Sequence, residues 1–235
     1  MSEAKTRMML TTRELFDLSH TEARPYLEAV TYPWEILGEI PTMIRAIGET
    51  LDLALYHHPA EDVWIAKSAK VAPTAYIGGP ALIGEETEVR HGAFIRGAAL
   101  VGKGCVVGNS TELKNVILFD GVQVPHYNYV GDSILGYKSH MGAGAITSNV
   151  KSDKTPVVVR PAKGCEGAFE PLPTGRKKLG AILGDFAEVG CGSVLNPGTV
   201  LGAHTNVYPL SSVRGVVPSH AIFKSGGESR IVEKD

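Results

Sequence analysis

Residues 65–113 read IAKSAKVAPTAYIGGPALIGEETEVRHGAFIRGAALVGKGCVVGNSTEL. An aliphatic side chain recurs at every sixth position: Ile65, Val71, Ile77, Ile83, Val89, Ile95, Val101, Val107 and Leu113. The same interval returns at Leu183, Val189, Leu195, Leu201, Val207 and Val213. A helix repeats about every 3.6 residues and a strand about every 2, so neither produces it. A six-residue period belongs to a parallel β-helix, in which short strands wind around a triangular prism. The fold class is therefore all-β. Four residues after each aliphatic stands a small side chain, as at Ala81, Thr87, Ala93, Ala99, Cys105 and Thr111, sized for a crowded corner between flat walls. Glycine often follows the aliphatic, as at Gly84, Gly102 and Gly108, and accepts the tight backbone of a corner. Three hexads make one coil of about eighteen residues, and coils stack about 4.8 Å apart. Residues eighteen apart are thus expected to lie one above another.

A chain of 235 residues holds one solenoid and a small accessory piece. Its net charge of -2 provides no general basic footprint for nucleic acid. No apolar run approaches the roughly 18 residues of a membrane span, and residues 1–9 are too polar for a secretory signal. Three cysteines make an odd count without metal-ligand spacing. Cys105 falls in a corner slot, where a structural role is expected. These features read as a cytoplasmic protein with neither nucleic acid nor membrane as partner.

Residues 1–60 lack the hexad interval and are expected to form a helical cap over the N-terminal end of the prism. Thr11 and Glu14 make a capping box ahead of Leu15 and Phe16. Tyr32-Pro33-Trp34 opens a second apolar helix running through Ile36, Ile40, Ile44 and Leu51, which Pro41 should kink or split. The β-helix is expected over residues 61–235. Its interval slips by one residue near Leu118, Val124 and Val130, and again at Leu135 and Met141, which predicts corners that bulge outward. Residues 151–178 break the repeat altogether. This insertion carries Lys151, Lys154, Arg160, Lys163, Arg176, Lys177 and Lys178 against Asp153, Glu166 and Glu170. So long a loop in a compact fold is usually functional, and its basic excess would attract an anion. A solvated arm that packs only on a neighbouring subunit is the other reading.

Residues 107–149 concentrate polar and titratable side chains on a scaffold that otherwise prefers Ala, Gly and Val. Arg96 and Lys114 are eighteen apart and are expected to stack and point the same way. Two stacked cations repel unless an anion lies between them, which reads as a phosphate or carboxylate clamp; two solvated surface cations is the plainer reading. His126 follows Pro125, lies eighteen after Gly108 and shares a corner with Tyr127, Asn128 and Tyr129. Histidine is the side chain best suited to general-base work near neutral pH, although a single histidine is more often structural.

The segments VPHYNYVGDSILG (124–136) and GRKKLGAILGD (175–185) make a more specific pattern. In them the chain resembles the acetyltransferase domain of the bifunctional N-acetylglucosamine-1-phosphate uridylyltransferase/glucosamine-1-phosphate acetyltransferase family, in its archaeal-type sugar-phosphate nucleotidylyltransferase form. The resemblance runs without gaps from Arg96 to Asn149 and resumes after the insertion to about Val217. It implies a left-handed β-helix, a homotrimer with sites shared between subunits, and acetyl-CoA-dependent N-acetylation of an amino-sugar 1-phosphate. Glucosamine-1-phosphate would be the default acceptor, in UDP-N-acetylglucosamine metabolism. It also implies that His126 is the general base, that Arg96 and Lys114 hold the sugar phosphate, and that Tyr129, Asn149 and Lys178 contact the acceptor, with Arg176 and Lys177 as rivals of Lys178. The backbone at Ala143 would meet the acetyl thioester. Three positions depart from the family. His140 replaces an asparagine that contacts the amino sugar, Cys191 replaces a serine near the cofactor, and Pro209 replaces an alanine further along that groove. These bear on the acceptor and on the acyl donor. The L-x-x-G-x-G-T-R-M signature of the family's nucleotidylyltransferase domain does not occur in these residues, which makes a separate nucleotidylyltransferase a candidate partner.

Two competing readings remain at this level. One is a non-catalytic sugar-phosphate or sugar-nucleotide binding or scaffolding protein. The other is a metal enzyme of the γ-carbonic-anhydrase type, for which His91 and His126 are suggestively spaced. That class needs an H-x4-H pair, and position 131 is Gly131.

Overall fold

The computed structural model describes residues 10–225 and 230–233. Residues 1–9, whose polarity argued against a secretory signal, lie outside the described residues. The chain winds into a left-handed parallel β-helix with three walls. The first wall stacks Lys70–Val71, Glu88–Val89, Val106–Asn109, Gln123–His126, His140–Met141, Glu188–Val189, Asn206–Val207 and Ala221–Lys224. The second runs from Tyr76–Ile77 through Phe94–Ile95, the starts of Glu112–Leu118 and Tyr129–Leu135, Ile146–Thr147 and Val194–Leu195 to Ser212–Val213. The third runs from Val63–Ala66 through Ala81–Ile83, Ala99–Val101, the ends of the same two long strands, Ala181–Leu183 and Thr199–Leu201 to Val216–Val217.

The hexad aliphatics fill the prism, and every one from Ile83 onward is buried. Val71 is exposed because it lies in the first coil, with no coil beneath it. The small corner residues are buried as well, and their hydroxyls are satisfied by nearby carbonyls: Thr87 Oγ1 donates to Gly102 O at 2.7 Å and Thr111 Oγ1 to Val124 O at 2.9 Å. Cys105 occupies such a slot, and burial pushes its thiol pKa up to about 12.

Coils of eighteen residues pair Ala81 with Ala99 and Ile83 with Val101. The next two coils have seventeen, pairing Val116 with Ala99 and Ser133 with Val116. The slip in the interval is therefore a residue lost from the corner between the second and third walls. The corner is tightened where the sequence predicted an outward bulge. Asn115 and Asp132 make that tight turn with φ of 57° and 48°. The third long coil contains the insertion, so that Ile134 faces Ile182. The insertion is no solvated arm. Val158–Val159 and Leu172–Pro173 form an antiparallel pair, Pro161 bridges to Val216, and Val157, Val159 and Ala162 are buried against the protein's own prism.

The helical segment is short: Thr12–Leu15, Arg24–Glu28, a 3₁₀ turn over Pro33–Gly38, and Ile40–Gly48. Glu14 reaches back to the Thr11 N–H at 3.2 Å, as a capping box requires. Pro41 divides the second apolar run by standing in the first turn of Ile40–Gly48, where its missing N–H is harmless. The helices cover the outer face of the third wall rather than the end of the prism, and this explains why Leu82, Leu100, Ile117 and Ile134 are buried although they point away from the interior. Gly48 permits the closest approach, since a Cβ there would stand 2.4 Å from the Trp64 ring. The ends of the sheets are finished by antiparallel strands, Tyr56–Ala60 on Val63–Ala66 and Arg230–Glu233 on Ala221–Lys224.

Candidate active site

One edge of the prism, between the first and second walls, gathers four of the expected site residues. Its ladder runs Tyr127 N–H to Asn109 O (2.8 Å), Gly144 N–H to His126 O (3.0 Å), Gly192 N–H to Ala143 O (2.9 Å) and Leu210 N–H to Cys191 O (2.9 Å). Asn109, His126, Ala143, Cys191 and Pro209 thus stand one per coil, in a column about 4.8 Å apart. His126, Ala143, Cys191 and Pro209 are all exposed along it. His126 pairs with Asn109 rather than stacking over Gly108 as an eighteen-residue coil would have it, because this coil has seventeen. Gly108 lies beneath Pro125 instead, where a Cβ would sit 1.5 Å from the Pro125 carbonyl oxygen.

The backbone of His126 is held from inside. Its N–H donates to Asn128 Oδ1 at 3.1 Å, and buried Asn128 donates to Gly142 O (2.9 Å) and Ala145 O (3.0 Å) on the next coil. No described residue hydrogen-bonds the His126 imidazole. One coil along, the N–H groups of Gly142 and Gly144 donate to Val189 O and His126 O. The N–H of Ala143, between them, has no acceptor among the described residues. An unpartnered imidazole thus stands beside an unpartnered amide donor.

The opposite edge of the second wall, roughly 10 Å away across three residues, carries a polar cluster centred on buried Asp132. Its carboxylate accepts from Lys114 Nζ at 3.0 and 3.1 Å, from Asn115 Nδ2 at 2.9 Å and from Asn149 Nδ2 at 2.6 Å. Asn149 also donates to the Tyr129 hydroxyl at 3.3 Å. Burial raises the Tyr129 pKa, and the charges of Asp132 and Glu112 raise it further. Asn115 additionally donates to Leu37 O at 3.1 Å, tying the cluster to the helical segment.

Arg96 and Lys114 do lie on neighbouring coils, but each has a carboxylate of its own. Arg96 Nη1 is 2.8 Å from Glu112 Oε1, and Lys114 is paired with Asp132. The clamp of two uncompensated cations is therefore replaced by two ion pairs. Lys178 is exposed and bridges Val150 across the neck of the insertion, next to Asn149, whose carbonyl accepts from Leu179 N–H at 3.0 Å. Its rival Arg176 lies over the helical segment, with Nη2 3.3 Å from where a Gly38 Cβ would be. His140 stands apart on the first wall, its Nδ1 2.8 Å from Glu188 Oε2. His91 and His126 are two coils apart, about 9.6 Å, too far to share one ion within a chain when metal–nitrogen bonds are about 2.0–2.1 Å. Glu112, Asn115 and Asp132 were not anticipated as site residues. The signal for the last two was their spacing of seventeen within the slipped register.

Hexapeptide coils that carry a polar, solvent-facing edge define a hexapeptide-repeat β-helix protein. A family model described as the GMPPB C-terminal domain matches residues 79–232, and the chain belongs to that family. It is 40% identical over 103 residues to the bifunctional protein GlmU of Methanococcus maripaludis, covering 44% of this chain and 23% of that protein. It is 33% identical over 118 residues to the bifunctional sugar-1-phosphate nucleotidylyltransferase/acetyltransferase of Sulfurisphaera tokodaii, covering 50% and 28%. The chain thus spans about a quarter of the length of these curated relatives. Among solved structures, the acetyltransferase domain of PglB from Neisseria gonorrhoeae in complex with acetyl coenzyme A matches at 17% identity, over 83% of this chain and 67% of that one, with a TM-score of 0.34.

Proposed function

We propose that this protein is an acetyl-CoA-dependent N-acetyltransferase acting on an amino-sugar 1-phosphate, with glucosamine-1-phosphate as the default acceptor and UDP-N-acetylglucosamine metabolism as its setting. The observation that carries this reading is the pairing, one coil apart, of the His126 imidazole with the Ala143 N–H, neither of which has a hydrogen-bond partner among the described residues. An amine must be neutral to attack a thioester. The ammonium first loses one proton to solvent. As the neutral nitrogen bonds to the acetyl carbon, His126 takes the second proton that nitrogen must shed, the Ala143 N–H steadies the oxyanion, and the C–S bond breaks with His126 passing that proton to the leaving thiolate. The exposed column of Ala143, Cys191 and Pro209 offers a groove for the pantetheine arm. Tyr129, Asn149, Lys114 and Lys178 lie on the acceptor side. Arg96 is half exposed and can exchange Glu112 for the acceptor's phosphate, whereas Lys114 stays with buried Asp132. His140 sits with Glu188 on the first wall, away from these acceptor-side residues. The second wall also exposes Tyr76 and Phe94, whose rings meet at a tilt with centroids 5.5 Å apart. That apolar row supports a homotrimer in which a second copy faces the site. A cytoplasmic setting and cooperation with a separate nucleotidylyltransferase belong to the same reading. Among the described residues no helix is long and apolar enough to cross a membrane.

One observation favours the second reading, a non-catalytic sugar-phosphate binding protein. A general base is ordinarily oriented by a third group, and no described residue orients the His126 imidazole. The deciding experiment is CoA release from acetyl-CoA with glucosamine-1-phosphate, wild type beside His126→Ala. Turnover that vanishes in the variant while acceptor affinity is kept supports the transferase. No wild-type turnover with this or related amino-sugar phosphates, together with measurable ligand binding, supports the binding protein.

A further inference from the structure

The insertion builds a second feature, on the edge that carries Asp132 but further towards the C terminus. Gly180 N–H donates to Asp132 O at 2.8 Å and Gly198 N–H to Gly180 O at 2.9 Å, so Gly198 is two coils from Asp132, about 9.6 Å. Beside Gly198 the insertion closes a cavity of about 210 Å³. Its charged lining comes from three separate stretches of chain: Lys151 where the insertion leaves the prism, Arg160 and Lys163 within the arm, and Arg214 on the prism corner. Among the described residues no aspartate or glutamate lines it. The arm is fixed there by backbone bonds, Val216 N–H to Arg160 O at 2.8 Å and Ala162 N–H to Val216 O at 3.2 Å. The facing corner is two residues shorter than the one beneath it, since Leu195 pairs with Val213 but Val200 pairs with Val216.

Four cations converging on one cavity repel one another; close partners among the described residues stand beside only two of them, and Glu166 acts on Lys163 from further off. Lys151 is 3.3 Å from Asp153, and Arg214 donates to Asn196 at 3.2 Å. The side chains of Arg160 and Lys163 make no hydrogen bond or close ion pair with a described residue. A polyanion in the cavity would satisfy all four, and guanidinium groups match phosphate oxygens in geometry as well as charge. Size limits the ligand. The cavity has room for about seven waters at roughly 30 Å³ each, less than the roughly 300–1,000 Å³ that encloses a whole drug-sized molecule. It suits a phosphate or pyrophosphate group whose remainder lies outside.

We propose that this cavity between insertion and prism is a binding site for the pyrophosphate-type group of a nucleotide ligand, separate from the His126 edge. The phosphates could belong to the coenzyme or to a sugar nucleotide, and one experiment distinguishes the sources. Binding of inorganic pyrophosphate to the full chain is measured calorimetrically at low salt and at about 0.15 M salt, with no acyl transfer involved, so the result is independent of whether the protein is a transferase. We expect saturable binding that weakens with salt, and at least tenfold weaker binding in the Arg160→Ala/Arg214→Ala variant and in Lys163→Ala. All three side chains are exposed, so the fold is retained. Lys70→Ala, an exposed cation elsewhere, should bind as wild type does. Absence of saturable binding at millimolar pyrophosphate, or equal binding by the variants, would overturn the proposal. Displacement by CoA and by dephospho-CoA, which share the pyrophosphate, but not by UDP assigns the phosphates to the coenzyme, and displacement by UDP but by neither form of the coenzyme assigns them to a sugar nucleotide. Displacement by none of them overturns the assignment to a nucleotide.

Discussion

Asp132 is buried on the tightened corner of the prism and holds Lys114, one coil away, at 3.0 Å. The pair is asymmetric: the carboxylate is enclosed, whereas the Lys114 side chain keeps 29% of its exposure. Removing the carboxylate strands three donors at once, the ammonium and the amides of Asn115 and Asn149. Breaking a buried pair from one side typically costs about 3–5 kcal/mol. The ammonium can turn to solvent, so we expect Asp132→Ala to cost about 3 kcal/mol. Chemical denaturation checks this, and a loss below about 1 kcal/mol, the scale of a surface pair, would contradict the assignment.

The Ala143 amide can be tested without touching a side chain. Proline removes the N–H, and Pro209 already occupies the same column two coils further on, so the edge tolerates proline. Ala143→Pro is expected to keep the far-UV spectrum and melting temperature while lowering kcat by roughly 10²–10³, the usual cost of one oxyanion donor. His126→Ala is expected to lower kcat by roughly 10²–10⁴, with unchanged stability because the side chain is exposed and makes no hydrogen bond to a described residue. Loss of stability in place of kcat in either variant would argue for a structural role.

Tyr129 links the acceptor side to pH. Burial, then Asp132 and Glu112, raise its pKa, so the folded state favours the neutral phenol more than the unfolded state does. The stability this provides is fully present below the unfolded value of about 10 and is lost as pH rises from there through the folded value. The difference in tyrosinate absorbance between wild type and Tyr129→Phe should therefore appear only above about pH 10. Asp132→Asn, by removing a negative charge, should bring it to lower pH. A Tyr129 that ionises like a free phenol would refute the burial and charge argument.

The three cysteines should separate by reactivity. The thiolate is the nucleophile. Cys105 is buried with its pKa pushed up to about 12, Cys165 is partly buried with its pKa raised by desolvation and Glu166, and Cys191 is exposed on the proposed donor groove. With a maleimide at pH 8 we expect Cys191 to react first and Cys105 only after unfolding. Acetyl-CoA should slow the labelling of Cys191. Equal labelling of all three in the native state would show that the corner slot of Cys105 is open.

Much of this molecule is legible in its sequence because a solenoid repeats one local rule. Each hexad aliphatic occupies the same slot, so Val89, Val107 and Val189 predict their own burial without knowledge of distant contacts. The positions of His126, Ala143, Cys191 and Pro209 were implied by the resemblance, and their alignment in one column follows from coil length. What did not carry over is pairing between side chains. Arg96 and Lys114 suggested a clamp because sequence spacing gives the stacking of cations but not the carboxylates, Glu112 and Asp132, that reach them from neighbouring positions. The one-residue slip and its sign were both visible, since Leu113 to Leu118 and Val130 to Leu135 are five apart instead of six; the error lay in reading a shortened interval as an outward bulge. The helices were recognisable from Pro41 and the apolar spacing. Their placement on a wall rather than an end depended on the outward-facing Leu82, Leu100 and Ile117, whose apolar character the hexad rule does not explain.

The attachment of that helical segment rests on Asp185. Its Oδ2 accepts from Asp17 N–H and its Oδ1 from Tyr137 N–H, each at 2.7 Å, while its own N–H donates to Leu15 O at 3.1 Å. The side chain therefore joins the helical segment to two coils of the prism. Asp185→Ala leaves two partly enclosed N–H groups without acceptors, at about 1–3 kcal/mol each, while Asp185→Asn keeps one acceptor oxygen and should lose about half as much. The damage should also be local. In the alanine variant the amides of Asp17 and Tyr137 should exchange hydrogen faster, and a protease should cut within residues 10–48 before it cuts the prism, because the coils retain their own ladder. If exchange accelerates equally in the strands of the first wall, Asp185 supports the β-helix itself rather than the docking of the helices.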